Sequence, residues 1–353
     1  MANIDDVAKL ARVSTATVSA VVNGRDRKVL PRTRQRVLNA IEKLGYRPNL
    51  YARTLARGRS RLLGVIISDI MNPFFAEVAQ VVQSEALACG YNVLIAATQF
   101  SVHRLKDAVE HMIGMRVDGM IVVTTEMEEQ VLAAVRHRKI PVVFEDVGTT
   151  DETTSNLRVD YAGGIYRAVL CLAELGHTHI LFAENYPSIA EKRRLFSIQA
   201  RAEAFAAAVK KFPNLKSFSI AQPGPPFQAG IEVAMSALKQ FEFTGVVANC
   251  DPIAVGLLRG FRRAGKRVPA DLSLIGFDNS ALCEQTEPPL TSVDVSRSVI
   301  GTAAVEALVG MIENKTPGTD IRVETNLILR ESTGRAPANM SRISSNEAAE
   351  LRR

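Results

Sequence analysis

The 353 residues are 47% hydrophobic and 23% charged, a globular composition long enough for two or three domains with sizeable cores. No run of about 18 apolar residues occurs, and the first residues lack a basic stretch leading into an apolar one, so the sequence predicts neither a membrane span nor a signal peptide and points to the cytoplasm. The net charge of +6 is unevenly placed: residues 1–61 carry 14 Lys and Arg against 4 Asp and Glu, a net +10, while the rest carries 29 against 33, a net −4. A basic head on a mildly acidic body is the electrostatic footprint of a chain that meets phosphate backbone.

Residues 3–11 read as a short capped helix with Ile4, Val7 and Leu10 on one side. Residues 13–24 read as the second helix of a helix-turn-helix. Ser14 is placed to cap it, accepting from an orphan N–H of the first turn, and Gly24 can close it in the left-handed region. Val18, Val21 and Val22, at i, i+3 and i+4, face a core. Thr15, Ala16, Ser19 and Ala20 are left on the outer face, where base edges would lie. Residues 31–44 make a third helix with Val37, Leu38 and Ile41 inward, Gly45 past its end and Pro48 soon after. Residues 50–57 suit two helical turns, too few to be stable alone in water, so this linker is expected to fold only when docked.

From Leu62 onward, strands alternate with helices. Strands are predicted at 62–68, 91–97, 119–124 and 141–145, with helices at 73–88, 104–115 and 128–138; residues 156–160 read as the chain leaving this lobe. A second set follows, with helices at 162–175, 199–211, 230–240 and 252–264 and strands at 179–183, 216–221, 245–248 and 272–277. After Pro288-Pro289-Leu290 the chain is expected to return to the first lobe as a helix at 298–313 and a strand at 321–329. Such alternation argues for α/β lobes with parallel sheets and right-handed crossovers. The tail, 336–353, has almost no apolar residues and reads as disordered.

In open α/β sheets, ligands bind beyond the carboxyl ends of the strands. Asp69, Asp146, Asp251 and Asp278 follow strands there, Asn72-Pro73-Phe74-Phe75 opens a helix, and Arg201 starts another. Acids and an arginine converging on one cleft suit the hydroxyls of a sugar-like molecule, with Phe74 or Phe75 against its apolar face. Asp251 serves equally well as a helix cap. His177-Thr178-His179 has metal-ligand chemistry but no third ligand, and reads as turn and strand. The scattered Cys89, Cys171, Cys250 and Cys283 read as reduced thiols. No phosphate-binding glycine loop or G-x-S-x-G motif is present, so neither a cofactor nor a metal is expected.

Asp6-Val7-Ala8, Val13-Ser14, Thr17-Val18-Ser19, Asn23-Gly24, Thr33-Arg34, Leu44-Gly45-Tyr46-Arg47-Pro48-Asn49, Ala52-Arg53 and Leu55 together resemble the headpiece and hinge of the lac-repressor (LacI/GalR) family, and the resemblance continues over roughly residues 2–335. It implies a helix-turn-helix headpiece at 1–47 and a hinge helix and linker at 48–61. Two Rossmann-like lobes of the periplasmic-binding-protein type would follow at 62–335, lobe one being 62–160 plus about 292–330 and lobe two about 161–291. By the same resemblance, DNA contacts fall to Ser14, Thr15, Ala16, Thr17, Ser19, Ala20, Asn23, Arg27, Thr33, Tyr46, Asn49, Ala52, Arg53 and Leu55. Leu55 would be the wedge inserted into the minor groove at the operator centre. Effector contacts fall to Phe75, Arg201 and Asp278, with Asp146, Cys250 and Asp251 lining or flanking the pocket; Phe74 joins this effector-binding set as the alternative stacking ring. The chain departs from the family pattern at Ala20, where Arg is usual, at Cys250, where Asn or Ser is frequent, and at Ala204, where Gly is usual; without Arg at position 20 the bidentate contact to guanine is lost. The implied function is an effector-responsive transcriptional repressor, homodimeric, binding a pseudo-palindromic DNA operator under control of a sugar-like small molecule. A stand-alone solute-binding protein is the alternative, and a doubly wound enzyme a third.

Overall fold

A computed structural model describes residues 2–22, 24, 26, 28–46, 59–126, 129–146, 148–186 and 195–338. The chain divides into two compact units, 1–61 and 62–353.

The first unit holds three helices, α1 (Ile4–Ala11), α2 (Thr15–Val22) and α3 (Pro31–Leu44). Asn3 and Asp6 cap α1 reciprocally, each side chain accepting from the other's backbone N–H at 2.9 Å, which satisfies two of the donors that a helix start leaves unpaired. Ser14 Oγ accepts from Thr17 N–H at 3.2 Å at the start of α2. Gly45 closes α3 at φ +57, a conformation that costs glycine nothing. Val7, Ala8, Ala11, Val18, Val21, Val37 and Ala40 form the buried core, with Val22, Leu38 and Ile41 packed at its margin. Leu10 instead stands 44% exposed. Ala8 and Ala11 fill the inward stripe of α1, which rotates Leu10 off it.

The second unit is built on two six-stranded sheets. The first contains β1 (Leu62–Ile67), β2 (Asn92–Ala97), β3 (Gly119–Val123), β4 (Val142–Glu145), β5 (Thr154–Val159) and β11 (Asp320–Val323), in the order β11-β5-β4-β3-β1-β2. Helices α4 (Pro73–Ala88), α5 (Val102–Gly114) and α6 (Glu129–His137) connect its strands. The second contains β6 (His179–Tyr186), β7 (Lys216–Pro223), β8 (Gly245–Ala248), β9 (Ser273–Asp278), β10 (Thr291–Val295) and β12 (Thr325–Ile328), in the order β12-β10-β9-β8-β6-β7. Its helices are α7 (Tyr161–Glu174), α8 (Phe196–Val209), α9 (Pro226–Gln240), α10 (Asp251–Arg263) and the single turn α11 (Leu282–Gln285). Every pairing is parallel except β10 with β12. β1, β3, β4, β8 and β9 are buried almost throughout, as strands covered on both faces must be.

Helix α12 (Arg297–Val309), continued by a wide turn at Gly310–Asn314, packs on α4 and the first sheet. The chain therefore crosses between lobes three times, after β5, after β10 and after β11. The allocation differs from the sequence expectation here. Residues 156–160 do not simply leave lobe one, because β5 pairs with β4 first. The strand expected at 321–329 is two strands, one in each sheet, and β10 belongs to the second sheet although α12 beside it belongs to the first. Asp160 ties two crossings together: its N–H donates to Val323 O at 3.0 Å and its carbonyl accepts from Thr325 Oγ1 at 2.9 Å. The segment expected to be a tail from 336 begins inside the body, where Ala336 N–H donates to Leu175 O at 2.9 Å; residues 339–353 lie outside the described part. Among the described residues no helix is long and apolar enough to cross a membrane.

Candidate functional site

The two sheets share one winding. In each, the chain builds outward from a central strand, first to one side and then to the other, so the order reverses between β1 and β3 and again between β6 and β8. Helices leave in opposite directions at such a point, which opens a crevice at the carboxyl ends of the strands. Both crevices open into one cleft. Asn72 and Thr125 enter it from beyond β1 and β3, Glu145 from the end of β4, Asn185 from β6, Asn249 and Cys250 from beyond β8, and Asp278 from the end of β9. Phe74, Phe75, Phe100, Tyr161, Ile198 and Val295 supply apolar wall.

Arg201, 8% exposed, reaches the cleft from the first turns of α8. Its Nε donates to Ser197 O at 3.1 Å, Nη2 to Ser197 Oγ at 3.2 Å, and Nη1 to Asn249 O at 2.5 Å. The same Nη1 stands 3.5 Å from Asp278 Oδ1. The guanidinium lies over the rings of Phe277 and Tyr161, 4.8 and 5.3 Å from their centres, so its charge is held by aromatic faces as well as by oxygen.

Asp278 sits at φ +106, and Asn279 after it at φ +52. A non-glycine residue there carries about 1–3 kcal/mol of strain, which surrounding contacts must hold. Arg297 provides one: its Nη1 donates to the Asp278 carbonyl at 2.6 Å while its Nε pairs with Glu77 Oε2 at 2.8 Å. Glu77 Oε1 in turn accepts from Ala281 N–H at 3.0 Å. Glu77 and Arg297 belong to the first lobe and Asp278 and Ala281 to the second, so these bonds clamp the lobes together beside the cleft. Burial pushes the Asp278 carboxyl up to about 8, against the pull of Arg201. Burial, reinforced by the Asp146 charge, pushes Glu145 up to about 8 as well. One Glu145 oxygen accepts from Tyr161 OH at 3.1 Å; the other, Oε2, is buried without a partner.

Of the residues expected at an effector site, Phe74, Phe75, Arg201, Cys250 and Asp278 line this cleft, and Asp146 and Asp251 do not. Asp146, at φ +55, bonds Val159 N–H at 3.4 Å and faces a separate hollow beside the crossings; burial raises its carboxyl to about 6. Asp251 is fully buried at the first turn of α10. Its oxygens accept from Ser292 Oγ at 2.6 Å, Ser280 N–H at 2.7 Å and Ser280 Oγ at 3.0 Å. It therefore fastens the strand-end loops behind the cleft rather than facing into it. Glu145, Tyr161, Asn185 and Asn249 were not singled out from the sequence. The available signal was the carboxylate that ends the otherwise apolar run Val142-Val143-Phe144-Glu145. His177 is buried, its ring nitrogens 2.9 Å from Thr244 Oγ1 and Ser273 Oγ. Its partners knit strand ends together. No metal-binding cluster occurs among the described residues.

On the headpiece, Ser14, Thr15 and Ala16 are exposed, and Thr17, Ser19, Ala20, Thr33 and Tyr46 are half-buried. Val18 and Val21 point the opposite way, into the core, so α2 presents a short face of small hydroxyl and methyl side chains. Asn23, Arg27, Asn49, Ala52, Arg53 and Leu55 lie outside the described residues. In the loop before α3, Asp26 pairs with Arg34 at 2.6 Å.

Known proteins match both units. The bacterial regulatory proteins of the lacI family match residues 3–49, and a periplasmic binding protein-like domain matches residues 169–333. Catabolite control protein A of Priestia megaterium is 32% identical over 332 residues, covering 94% of this chain and 98% of its own. The HTH-type transcriptional repressor PurR of Aliivibrio fischeri (strain MJ11) is 31% identical over 318 residues, 89% of this chain and 93% of its own. Among solved structures, a lac repressor dimer bound to operator and the anti-inducer ONPF superposes with a TM-score of 0.79 at 25% identity, over 94% of this chain and 99% of that one. The chain belongs to the lacI family of bacterial regulatory proteins.

Proposed function

We propose that this protein is an effector-responsive transcriptional repressor that acts in the cytoplasm as a homodimer. Two headpieces read the halves of a pseudo-palindromic operator about one helical turn apart, and a sugar or sugar derivative held in the cleft controls their affinity for DNA. The observation that carries this reading is the presence, in one chain, of a basic three-helix unit with the small-side-chain face of α2 turned outward and a two-lobed body with a polar cleft at paired switch points. Arg201, Asp278 and Cys250 stand where a ligand bridging both lobes would touch them, with Phe74 and Phe75 as its apolar wall. Ser14, Thr15, Ala16, Thr17, Ser19 and Ala20 are assigned to the DNA face, as are Asn23, Arg27, Thr33, Tyr46, Asn49, Ala52, Arg53 and Leu55.

The Glu77–Arg297–Asp278 clamp supplies the coupling. A ligand that settles against Asp278 favours the clamped arrangement of the lobes over the open one, and effector and operator then alter each other's binding by the same factor, about 1–3 kcal/mol in such systems.

A stand-alone solute-binding protein would share the body but has no use for a basic headpiece. Selection of sites from randomised duplex DNA by the full-length protein, at about 0.15 M salt because affinity depends steeply on it, decides between them. Enrichment of a two-fold symmetric site is expected; retention of no sequence above background overturns the regulator reading.

A further inference from the structure

β3 and β8 hold the same place in the winding that the two sheets share, and a buried acid stands three residues beyond each of them, Glu126 in the first lobe and Asp251 in the second. The two acids face opposite ways along their sheets. Asp251 accepts from Ser280, beyond β9, and from Ser292, in β10. Glu126, 3% exposed, turns toward β1 and β2. Its Oε2 accepts from Ser68 Oγ, just beyond β1, at 2.8 Å and from Thr125 N–H at 3.1 Å. Its Oε1 accepts from Thr98 Oγ1, just beyond β2. One carboxyl thus gathers the ends of three strands, and a carboxyl is kept so far from water only with partners of this kind.

Each gathered end leads into the cleft, although Glu126 does not line it. Ser68 precedes the loop that carries Asn72, Phe74 and Phe75. Thr98 precedes Gln99 and Phe100, which stand at φ +53 and +60, a strained pair that surrounding contacts must hold. Phe100 lines the cleft, edge-on to Phe75 with ring centres 6.5 Å apart. Thr125 lines it too, and its carbonyl accepts from the Phe196 N–H of the second lobe at 3.2 Å.

We propose that Glu126 is a positioning residue that fixes the first-lobe wall of the cleft and, through Thr125, the hydrogen bond from Phe196 that holds the second lobe against that wall. The inference rests on the reading of the cleft as an effector site, where the placement of Phe100 and Thr125 bears on function. Without the carboxyl, Ser68 Oγ, Thr98 Oγ1 and Thr125 N–H lose their common acceptor, the turn at Gln99 and Phe100 loses its anchor, and the Thr125 carbonyl is no longer held toward α8. The cleft then opens more often. Glutamine at this position serves nearly as well as the acid. Its oxygen takes the place of Oε2 and its amide donates to Thr98 Oγ1, whose own proton turns to Ile67 O or Ser68 O, each 3.4 Å away.

The test uses full-length protein without DNA or effector and takes three cysteines as reporters. Cys250 lines the cleft, Cys283 is buried in the same lobe away from it, and Cys89 is exposed. Labelling by N-ethylmaleimide is followed peptide by peptide in a mass spectrometer, together with hydrogen exchange at the Phe196 amide. Cys89 labels first in every protein. Glu126→Leu should raise both the Cys250 labelling rate and the Phe196 exchange rate by at least about fivefold, the equivalent of one lost hydrogen bond, and leave Cys283 as it was. Glu126→Gln should stay within about twofold of the wild type. Where the leucine variant does not fold, Thr98→Val, which removes one donor and keeps the shape, should move both reporters the same way by at least about twofold. Unchanged reporters in the variant that folds overturn the proposal. So does a matched rise at Cys250 and Cys283, the mark of a lobe loosened as a whole, or a glutamine variant that behaves like the leucine one. A rise at Cys250 without one at Phe196 overturns the link through Thr125. Protein that selects a symmetric operator yet shows no change at either reporter overturns this inference alone, whereas protein that responds as expected but selects no site overturns the regulator reading.

Discussion

Two buried acids, one at the end of β4 in the first sheet and one just beyond β8 in the second, behave in opposite ways. Asp251, behind the cleft, is wrapped by three donors from Ser280 and Ser292 and has no oxygen to spare. Glu145, in the cleft wall, has one oxygen on Tyr161 and the other on nothing. Burial raises the affinity of both for a proton; hydrogen bonds pull the other way, several at Asp251 and the Tyr161 hydroxyl alone at Glu145. Of these two buried carboxyls, one has its hydrogen-bonding complete and fastens the loops behind the cleft, and the other keeps one oxygen unpaired. Burial alone does not distinguish the two acids; the count of satisfied lone pairs does.

Asp251→Ala tests the closed half of this contrast and has the largest expected effect. It strands the Ser280 N–H, the Ser280 hydroxyl and the Ser292 hydroxyl in a dry site, at a cost of about 3 kcal/mol, read as a lower midpoint in urea denaturation of the body. A loss below about 1 kcal/mol would mean that water replaces the carboxylate and that the two acids differ less than their geometry suggests. Arg297→Ala comes next. It removes the donor to the Asp278 carbonyl and the partner of Glu77, so the clamped lobe arrangement loses support from both sides. Affinity for the cleft ligand should fall by about tenfold, with the midpoint of the headpiece transition unchanged. An unaltered ligand affinity would detach the clamp from the cleft.

Much of this arrangement was legible in the sequence, and the boundary of legibility is physical. Ser14 and Gly24 announce α2 because caps answer to local backbone chemistry, and β1, β3 and β8 announce themselves as apolar runs because both their faces are covered. Arg201 and Asp278 were found by position, an arginine at a helix start and an acid at a strand end. What local pattern cannot carry is partner choice. Nothing within Thr291–Val295 or Thr325–Ile328 says which sheet four or five residues will join, so the lobe boundary was misplaced there. Asp251 and Glu145 present the same difficulty in side chains. Each is an acid at or just beyond the end of an apolar strand, and only the tertiary structure brings Ser280 and Ser292 to one and leaves an oxygen of the other unpaired. Leu10 fails for a related reason, since a small residue can occupy the inward stripe and displace a larger one.

Glu145→Leu probes the open half of the contrast and has the smallest expected effect on stability. It removes an acid whose second oxygen is unpaired and replaces it with an apolar side chain of similar volume, so at pH 5 the change should lie within about 1 kcal/mol of zero. The informative quantity is the slope with pH. The folded protein holds the Glu145 proton up to about pH 8, against an ordinary value of 4.5. A group whose folded value is raised contributes stability that is fully present below its unfolded value and is lost as pH rises through the folded one. The melting temperature of the ligand-free wild type should therefore fall between pH 5 and pH 8, and that of Glu145→Leu should fall less. Asp278, raised by burial in the same direction, remains in both proteins and accounts for the slope that persists. Parallel slopes in the two proteins would mean that Glu145 is already ionised in the folded protein and that the two acids differ less than their geometry suggests.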